Sequence, residues 1–125
     1  MQTSAEKITD SELEVMRVLW DAQQPLPVSE IRRILQQKRG WEATTIKTLI
    51  QRLVSKGALA QEKRGTFYYA PLITEREYND WATGALIHKL YRGSAKRLVA
   101  ALVQADELTE NDIEELRTLL KDGTK

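Results

Sequence analysis

The stretch ATTIKTLIQRLVS, residues 43–55, constrains the fold most, because its apolar side chains all fall on one stripe of a helix. Gly57 follows at the point where a left-handed C-terminal cap is expected. Two short runs typical of strands, ALAQEKR and TFYYAP, come next and are separated by the turn signal Arg64-Gly65. The sequence therefore predicts a half-buried helix that leads directly into a β-hairpin. The stripe consists of Ile46, Leu49, Ile50, Leu53 and Val54.

Two shorter helices are predicted before this one. Capping residues at 9–11 and apolar residues at helical spacing predict a first helix over roughly 10–22. Pro25 and Pro27 prevent a helix through QQPLPV and favour a very short extended strand. A second helix begins at Val28 and ends before Gly40. This order predicts a mainly α fold with a small β-hairpin wing, that is, a winged helix-turn-helix domain over residues 1–72.

Residues 73–125 carry three further helical patterns, opened by Thr74, Ser94 and Thr109 as capping residues. Each pattern has an apolar stripe, and about 50 residues are too few to cover all three. Either a second copy of the chain covers them, as a two-fold dimer, or they pack back onto the first 72 residues. We predict the first arrangement, an α-helical dimerisation domain. The predicted interface residues are Tyr78, Trp81, Leu86, Leu98, Leu102, Leu116 and Leu120.

Positive charge is concentrated in one part of the chain. The net charge is only +1, yet residues 32–64 contain nine Lys or Arg against two Asp or Glu. With the apolar stripe of residues 43–55 turned inward, the outward face carries hydroxyl, amide and cationic side chains and no acid. An ordinary solvated face usually mixes Glu with Lys. We therefore predict that this helix enters the major groove of DNA, where Thr44, Lys47, Thr48 and Gln51 contact base edges.

Other polar residues are predicted to hold the DNA backbone. The hairpin turn carries Lys63 and Arg64, which either contact phosphates or simply form a charged turn. The predicted phosphate-contacting residues are Thr45, Arg52, Arg32, Lys63 and Arg64. The aromatic run 67–69 resembles a stacking platform, but we favour a strand in which alternate residues pack on the core and one ring lies outside.

Catalysis and metal binding find little support. The chain has no cysteine, a single histidine at His88, and no glycine-rich phosphate-binding motif. The sequence predicts neither an enzyme, nor a metal site, nor a cofactor. The N-terminus lacks the apolar region of a signal peptide, and no apolar run approaches the ~18 residues of a membrane span. A cytoplasmic protein without a membrane partner is expected.

Four stretches together resemble the penicillinase repressor family: ITDSELEVMRVLWD, VSEI, TTIKTLIQRLVSKGAL and LVAAL with DELTENDIEELRTLL. The resemblance covers about residues 7–122. It implies a winged-helix repressor that dimerises through C-terminal helices and binds inverted repeats of the TACA/TGTA type. It also implies that Thr44, Lys47 and Thr48 occupy base-reading positions.

The sequence departs from two branches of that family. The copper-responsive branch ends in paired C-x-C motifs, which this chain lacks. In the β-lactam-responsive branch a protease cuts an Asn-Phe bond in the penultimate helix, and the matching positions here are Ala101 and Leu102. The resemblance thus implies a regulatory protease as a partner, with Ala101-Leu102 as the corresponding bond.

The predicted function is a homodimeric, sequence-specific repressor of antibiotic-resistance or stress-response genes, bound to an operator in double-stranded DNA. The alternative is a winged-helix adaptor that binds proteins and does not bind DNA in a sequence-specific way.

Overall fold

A computed structural model describes residues 8–123, which form two compact units, one ending at Ala82 and the other beginning at Thr83. The first unit holds three helices, a small sheet and the start of a fourth helix. The second holds the rest of that helix and two more. In chain order the elements are α1 (Asp10–Ala22), β1 (Leu26–Pro27), α2 (Val28–Arg39), α3 (Ala43–Ser55), β2 (Leu59–Arg64), β3 (Thr66–Pro71), α4 (Glu75–Tyr91), α5 (Ala95–Gln104) and α6 (Glu110–Gly123).

Local chemistry sets the ends of α1 and α3. A capping box starts α1: the Glu12 N–H donates to Thr9 Oγ1 over 3.2 Å, and the Thr9 N–H donates to Glu12 Oε1 over 3.0 Å. Helix α3 ends at Gly57, whose φ of 80° is easy only for glycine. The Gly57 N–H donates to the Val54 carbonyl and the Ala58 N–H to the Leu53 carbonyl, which together close the helix in a Schellman motif. The cap predicted at Gly57 is thus the point where the chain turns toward β2.

The sheet has three antiparallel strands in the order β1-β3-β2. The short strand β1 pairs Leu26 with Tyr69, so the extended piece predicted around Pro27 does join the sheet. Strands β2 and β3 pair over their whole length, from Leu59 opposite Pro71 to Arg64 opposite Thr66. The sheet therefore ends in a two-stranded hairpin, the wing.

The core of the first unit lies between α1, α2, α3 and the base of the wing. Its fully covered side chains include the inward stripe of α3 together with Met16, Leu19, Ile31, Leu35 and Leu59. Trp20 closes one edge, where its Nε1 donates to the Ile73 carbonyl over 2.9 Å. The six-element order and the inward stripe agree with the winged helix-turn-helix prediction.

Two of the predicted dimer-interface residues pack inside the first unit. Tyr78 lies 6.1 Å from Trp20 and 6.0 Å from Trp81, measured between ring centroids, and both Tyr78 and Trp81 are half-buried against the core. The start of α4 is therefore held to the winged domain of its own chain. A role for these two rings between chains stays a prediction.

The second unit has no covered core of its own. No residue of α5 or α6 is buried, and several leucines of the predicted interface are open, among them Leu86 at 41%, Leu102 at 37%, Leu116 at 38% and Leu120 at 69% exposure. Leu98 is half-buried. Val99, Val103, Ile113, Leu116 and Leu120 line an open apolar groove of about 200 Å³ between α5 and α6. Among residues 8–123, no helix is both long and apolar enough to cross a lipid bilayer.

Candidate nucleic-acid interface

The outward face of α3 presents all the side chains predicted to contact bases. Thr44, Lys47, Thr48 and Gln51 are exposed, while Ile46, Leu49, Ile50 and Leu53 on the other side are buried. The apolar stripe thus fixes the rotation of the helix, and that rotation leaves the polar residues free. No acidic residue lies in the first turn of α3. The face can therefore approach phosphates without repulsion from its own helix.

Two depressions flank this face, and Thr44 borders both. On the side of the wing, Thr44, Lys47 and Gln51 share a cleft with Phe67 of β3. On the other side, Thr44, Thr45, Thr48 and Arg52 border a shallower hollow. The predicted residues therefore form two groups: Lys47 and Gln51 toward the wing, and Thr45, Thr48 and Arg52 away from it.

The Thr48 hydroxyl is already engaged within the helix. Its Oγ1 donates to the Thr44 carbonyl over 2.9 Å, which is a common bond for a threonine in a helix. The proton is thus committed, and Thr48 offers its oxygen lone pairs and its methyl group outward. Such a side chain suits a base amino group or a thymine methyl better than it suits a base acceptor.

The register of the wing sends Lys63 and Arg64 to opposite faces. Lys63 pairs with Phe67 and shares its face with the buried Tyr69, whereas Arg64 lies on the other face together with Glu62 and Tyr68. Arg64 donates through Nε to Glu62 Oε1 over 2.9 Å and stacks 5.2 Å from the centre of the Tyr68 ring. Of the two cations predicted at the turn, Lys63 therefore shares the face of the buried Tyr69, and Arg64 is held by an acid of its own strand.

The same distinction separates the other cations of the region. Among the described residues 8–123, Arg32, Lys47, Arg52 and Lys63 form no ion pair with a carboxylate. Arg33, by contrast, pairs with Glu30 one turn earlier in α2. The side-chain hydrogen bond from Arg33 lowers the pKa of Glu30, and the same bond raises the pKa of Arg33. The uncompensated positive charge thus lies on α2, α3 and the wing, in the positions predicted to meet phosphates.

Two features of this region were not predicted from the sequence. Phe67 remains 40% exposed at the border of the cleft, although Tyr69 on the same face is buried. Glu12 is 1% exposed, and its Oε1 accepts a hydrogen bond from Lys56 Nζ over 2.6 Å, which ties the end of α3 to the start of α1. The spacing Thr9-x-x-Glu12 signals the cap, but no local pattern signals its bond to a residue 44 positions away.

Comparison with known proteins places these features in context. A model of the family described as penicillinase repressor matches residues 8–122. The chain is 32% identical over 117 residues to the penicillinase repressor of Bacillus licheniformis, covering 93% of this chain and 91% of that one. It is 32% identical over 121 residues to the methicillin resistance regulatory protein MecI of Mammaliicoccus sciuri, covering 96% and 98%.

A solved structure is similar as well. It is a solution structure of Bacillus licheniformis BlaI in its monomeric form, in complex with the blaP half-operator. The likeness has a TM-score of 0.51 and 40% sequence identity, and it covers 57% of this chain and 87% of that one. The predicted fold, a winged helix followed by further helices, is thereby confirmed for the DNA-binding part.

Proposed function

This chain belongs to the penicillinase repressor family, a family of DNA-binding repressors and not of enzymes, and we propose that it acts as a homodimer on an inverted-repeat operator of the TACA/TGTA type. The family resemblance and the prediction against an enzyme are confirmed by the family match. The operator, the dimer and the mode of regulation are the proposal. A repressor with bacterial relatives of this kind would act in the cytoplasm.

One observation carries the DNA-binding part of the proposal: an exposed, acid-free face on α3 beside cations that no carboxylate within residues 8–123 balances. Lys47 and Arg52 lie on this helix, Arg32 on α2 and Lys63 on the wing. Side chains on one rigid helix can reach base edges in a major groove, while cations around it hold the backbone. The two groups on α3 suggest that Lys47 and Gln51 contact one strand and that Thr48 and Arg52 lie nearer the other.

The open apolar surface of the second unit supports the dimer. Leu116 and Leu120 lie beside Val99 and Val103 with no covering layer from the same unit, and apolar groups so exposed are commonly covered by another chain. Two linked half-sites bind far more tightly than either alone, because the second contact becomes intramolecular. Any event that separates the chains would then release the operator.

The bond implied as a protease target lies inside a formed helix. Ala101 and Leu102 belong to α5, and the Ala105 N–H donates to the Ala101 carbonyl over 2.9 Å. A protease binds its substrate in an extended conformation, so a cut here would require the last turns of α5 to open first. We propose that dimer dissociation would favour this opening, because it removes the cover over Leu102.

The test is a fluorescence anisotropy titration of the full chain with two duplexes of equal composition, one carrying the TACA/TGTA inverted repeat and one scrambled. We expect a preference of 10³-fold or more for the repeat, about the lower end for specific DNA-binding proteins, and a steep loss of affinity with salt. Equal, weak and salt-insensitive binding to both duplexes would instead favour the protein-binding adaptor.

A further inference from the structure

The cleft between α3 and the wing has the form of a seat for one strand of the DNA backbone. It holds about 420 Å³ and is bordered by Val28 and Arg32 of α2, Thr44, Lys47 and Gln51 of α3, and Thr66 and Phe67 of β3. Ile46, Ile50 and Tyr69 form its floor and are at most 7% exposed. We refer to these residues as the wing cleft. Its borders combine two cations on the helical side with one aromatic ring on the strand side.

The geometry of the duplex determines what such a cleft would meet. A helix in the major groove and a hairpin at the adjacent minor groove lie on either side of one sugar-phosphate strand, because that strand separates the two grooves. Arg32 and Lys47 offer charge to its phosphates. Phe67 has no hydrogen-bonding group, so it can contact only apolar surface, and the carbons of deoxyribose are the nearest apolar groups of a backbone.

We propose that Phe67 packs against a deoxyribose of the strand seated in the wing cleft and so contributes affinity that is independent of base sequence and of salt. This inference rests on the proposed DNA-binding function. Lys63 strengthens the argument, because its Nζ lies 5.8 Å from the centre of the Phe67 ring. An ammonium held over the ring stands next to the sugar that the ring would cover, within reach of the phosphate attached to it.

A sugar contact can be distinguished from the two other contacts in this interface. Loss of a phosphate contact reduces the dependence of affinity on salt, and loss of a base contact reduces the preference for the operator. Loss of a neutral contact with a sugar should weaken every duplex by the same factor and change neither quantity. Phe67 should therefore show a signature that differs from those of both Lys63 and Lys47.

The experiment compares Phe67→Ala and Phe67→Leu in the full chain. Leu72→Ala is the control, since Leu72 is an apolar side chain of the same unit, 60% exposed and outside the wing cleft. Binding to the repeat and scrambled duplexes is measured at several salt concentrations. We expect Phe67→Ala to weaken both by about fivefold to tenfold, as when roughly half of the exposed ring area is covered by sugar carbons. Phe67→Leu should retain most of the affinity, and Leu72→Ala should bind within about twofold of the parent, because surface changes away from the contact have small effects.

A second measurement identifies the sugar directly. Single 2′-O-methyl groups are placed in turn along the repeat duplex, and we expect a position in each half-site where the added group weakens the parent chain but not Phe67→Ala. Unchanged binding by Phe67→Ala, a reduced preference for the repeat, or a scan without such a position would each overturn the inference. Failure of the parent chain to bind either duplex would refute the proposed function itself, which is a separate and earlier result.

Discussion

The ion pair between Glu12 and Lys56 should contribute more to stability than any surface pair of the first unit. The Glu12 side chain is 1% exposed and the Lys56 side chain 26%, with 2.6 Å between Nζ and Oε1. In Lys56→Met the carboxylate would keep the Thr9 N–H, 3.0 Å away, as its remaining donor among the described residues. Removing one partner of a fully buried pair costs about 3–5 kcal/mol. Since Lys56 is partly open to water, we expect a loss of about 2–3 kcal/mol here.

A double-mutant cycle tests the magnitude. Glu12→Gln with Lys56→Met removes both charges and keeps an oxygen that can accept from Thr9, so it should lose only about 1 kcal/mol. The assay is urea unfolding followed by tryptophan fluorescence at one fixed protein concentration, since association would otherwise shift the midpoint. Arg17→Met is the control, because Arg17 pairs with Glu14 at the surface and its side chain is 51% exposed. If Lys56→Met cost no more than Arg17→Met, the reasoning from burial would be wrong.

Three further variants test other parts of the molecule. In a homodimer with two wings, Lys63→Ala should reduce the slope of log affinity against log salt by about 1.8, while Arg64→Ala, already paired with Glu62, should leave it nearly unchanged; equal slopes for both variants would contradict the assignment of faces. Lys47→Ala should reduce the preference for the repeat duplex by about 1–3 kcal/mol, and an equal loss on random DNA would reassign Lys47 to the backbone. Leu116→Glu should shift the chain toward monomer in analytical ultracentrifugation, because it adds charge to the open groove of α5 and α6; an unchanged dimer would place the interface elsewhere.

The winged domain could be read from the sequence because its signals are local. The stripe on α3 determines which side of the helix is buried, and Gly57 marks where the helix must end. Pro25 and Pro27 separate the first two helices. Each of these signals lies within a few residues of the structure it specifies, and all of them indicate the same fold.

The contacts that link distant segments could not be read in this way. An amphipathic pattern shows which side of a helix is covered but not by what, so Tyr78 and Trp81 were grouped with Leu86, although they pack beside Trp20. The faces of Lys63 and Arg64 depend on strand register, and a shift of one residue exchanges them. The bond from Lys56 to Glu12 joins residues at opposite ends of the winged domain. All three depend on three-dimensional packing.

The pairing of Glu62 with Arg64 has a consequence for the search along a chromosome. It keeps the outer face of the wing close to electrically neutral, so that face adds little to the attraction that any stretch of duplex exerts. A repressor must find one site among millions of competing ones, and extra indiscriminate attraction would leave it occupied elsewhere. A change from acid to base at Glu62 would release Arg64 and raise total DNA binding, yet it would lower the fraction of molecules resting on the operator.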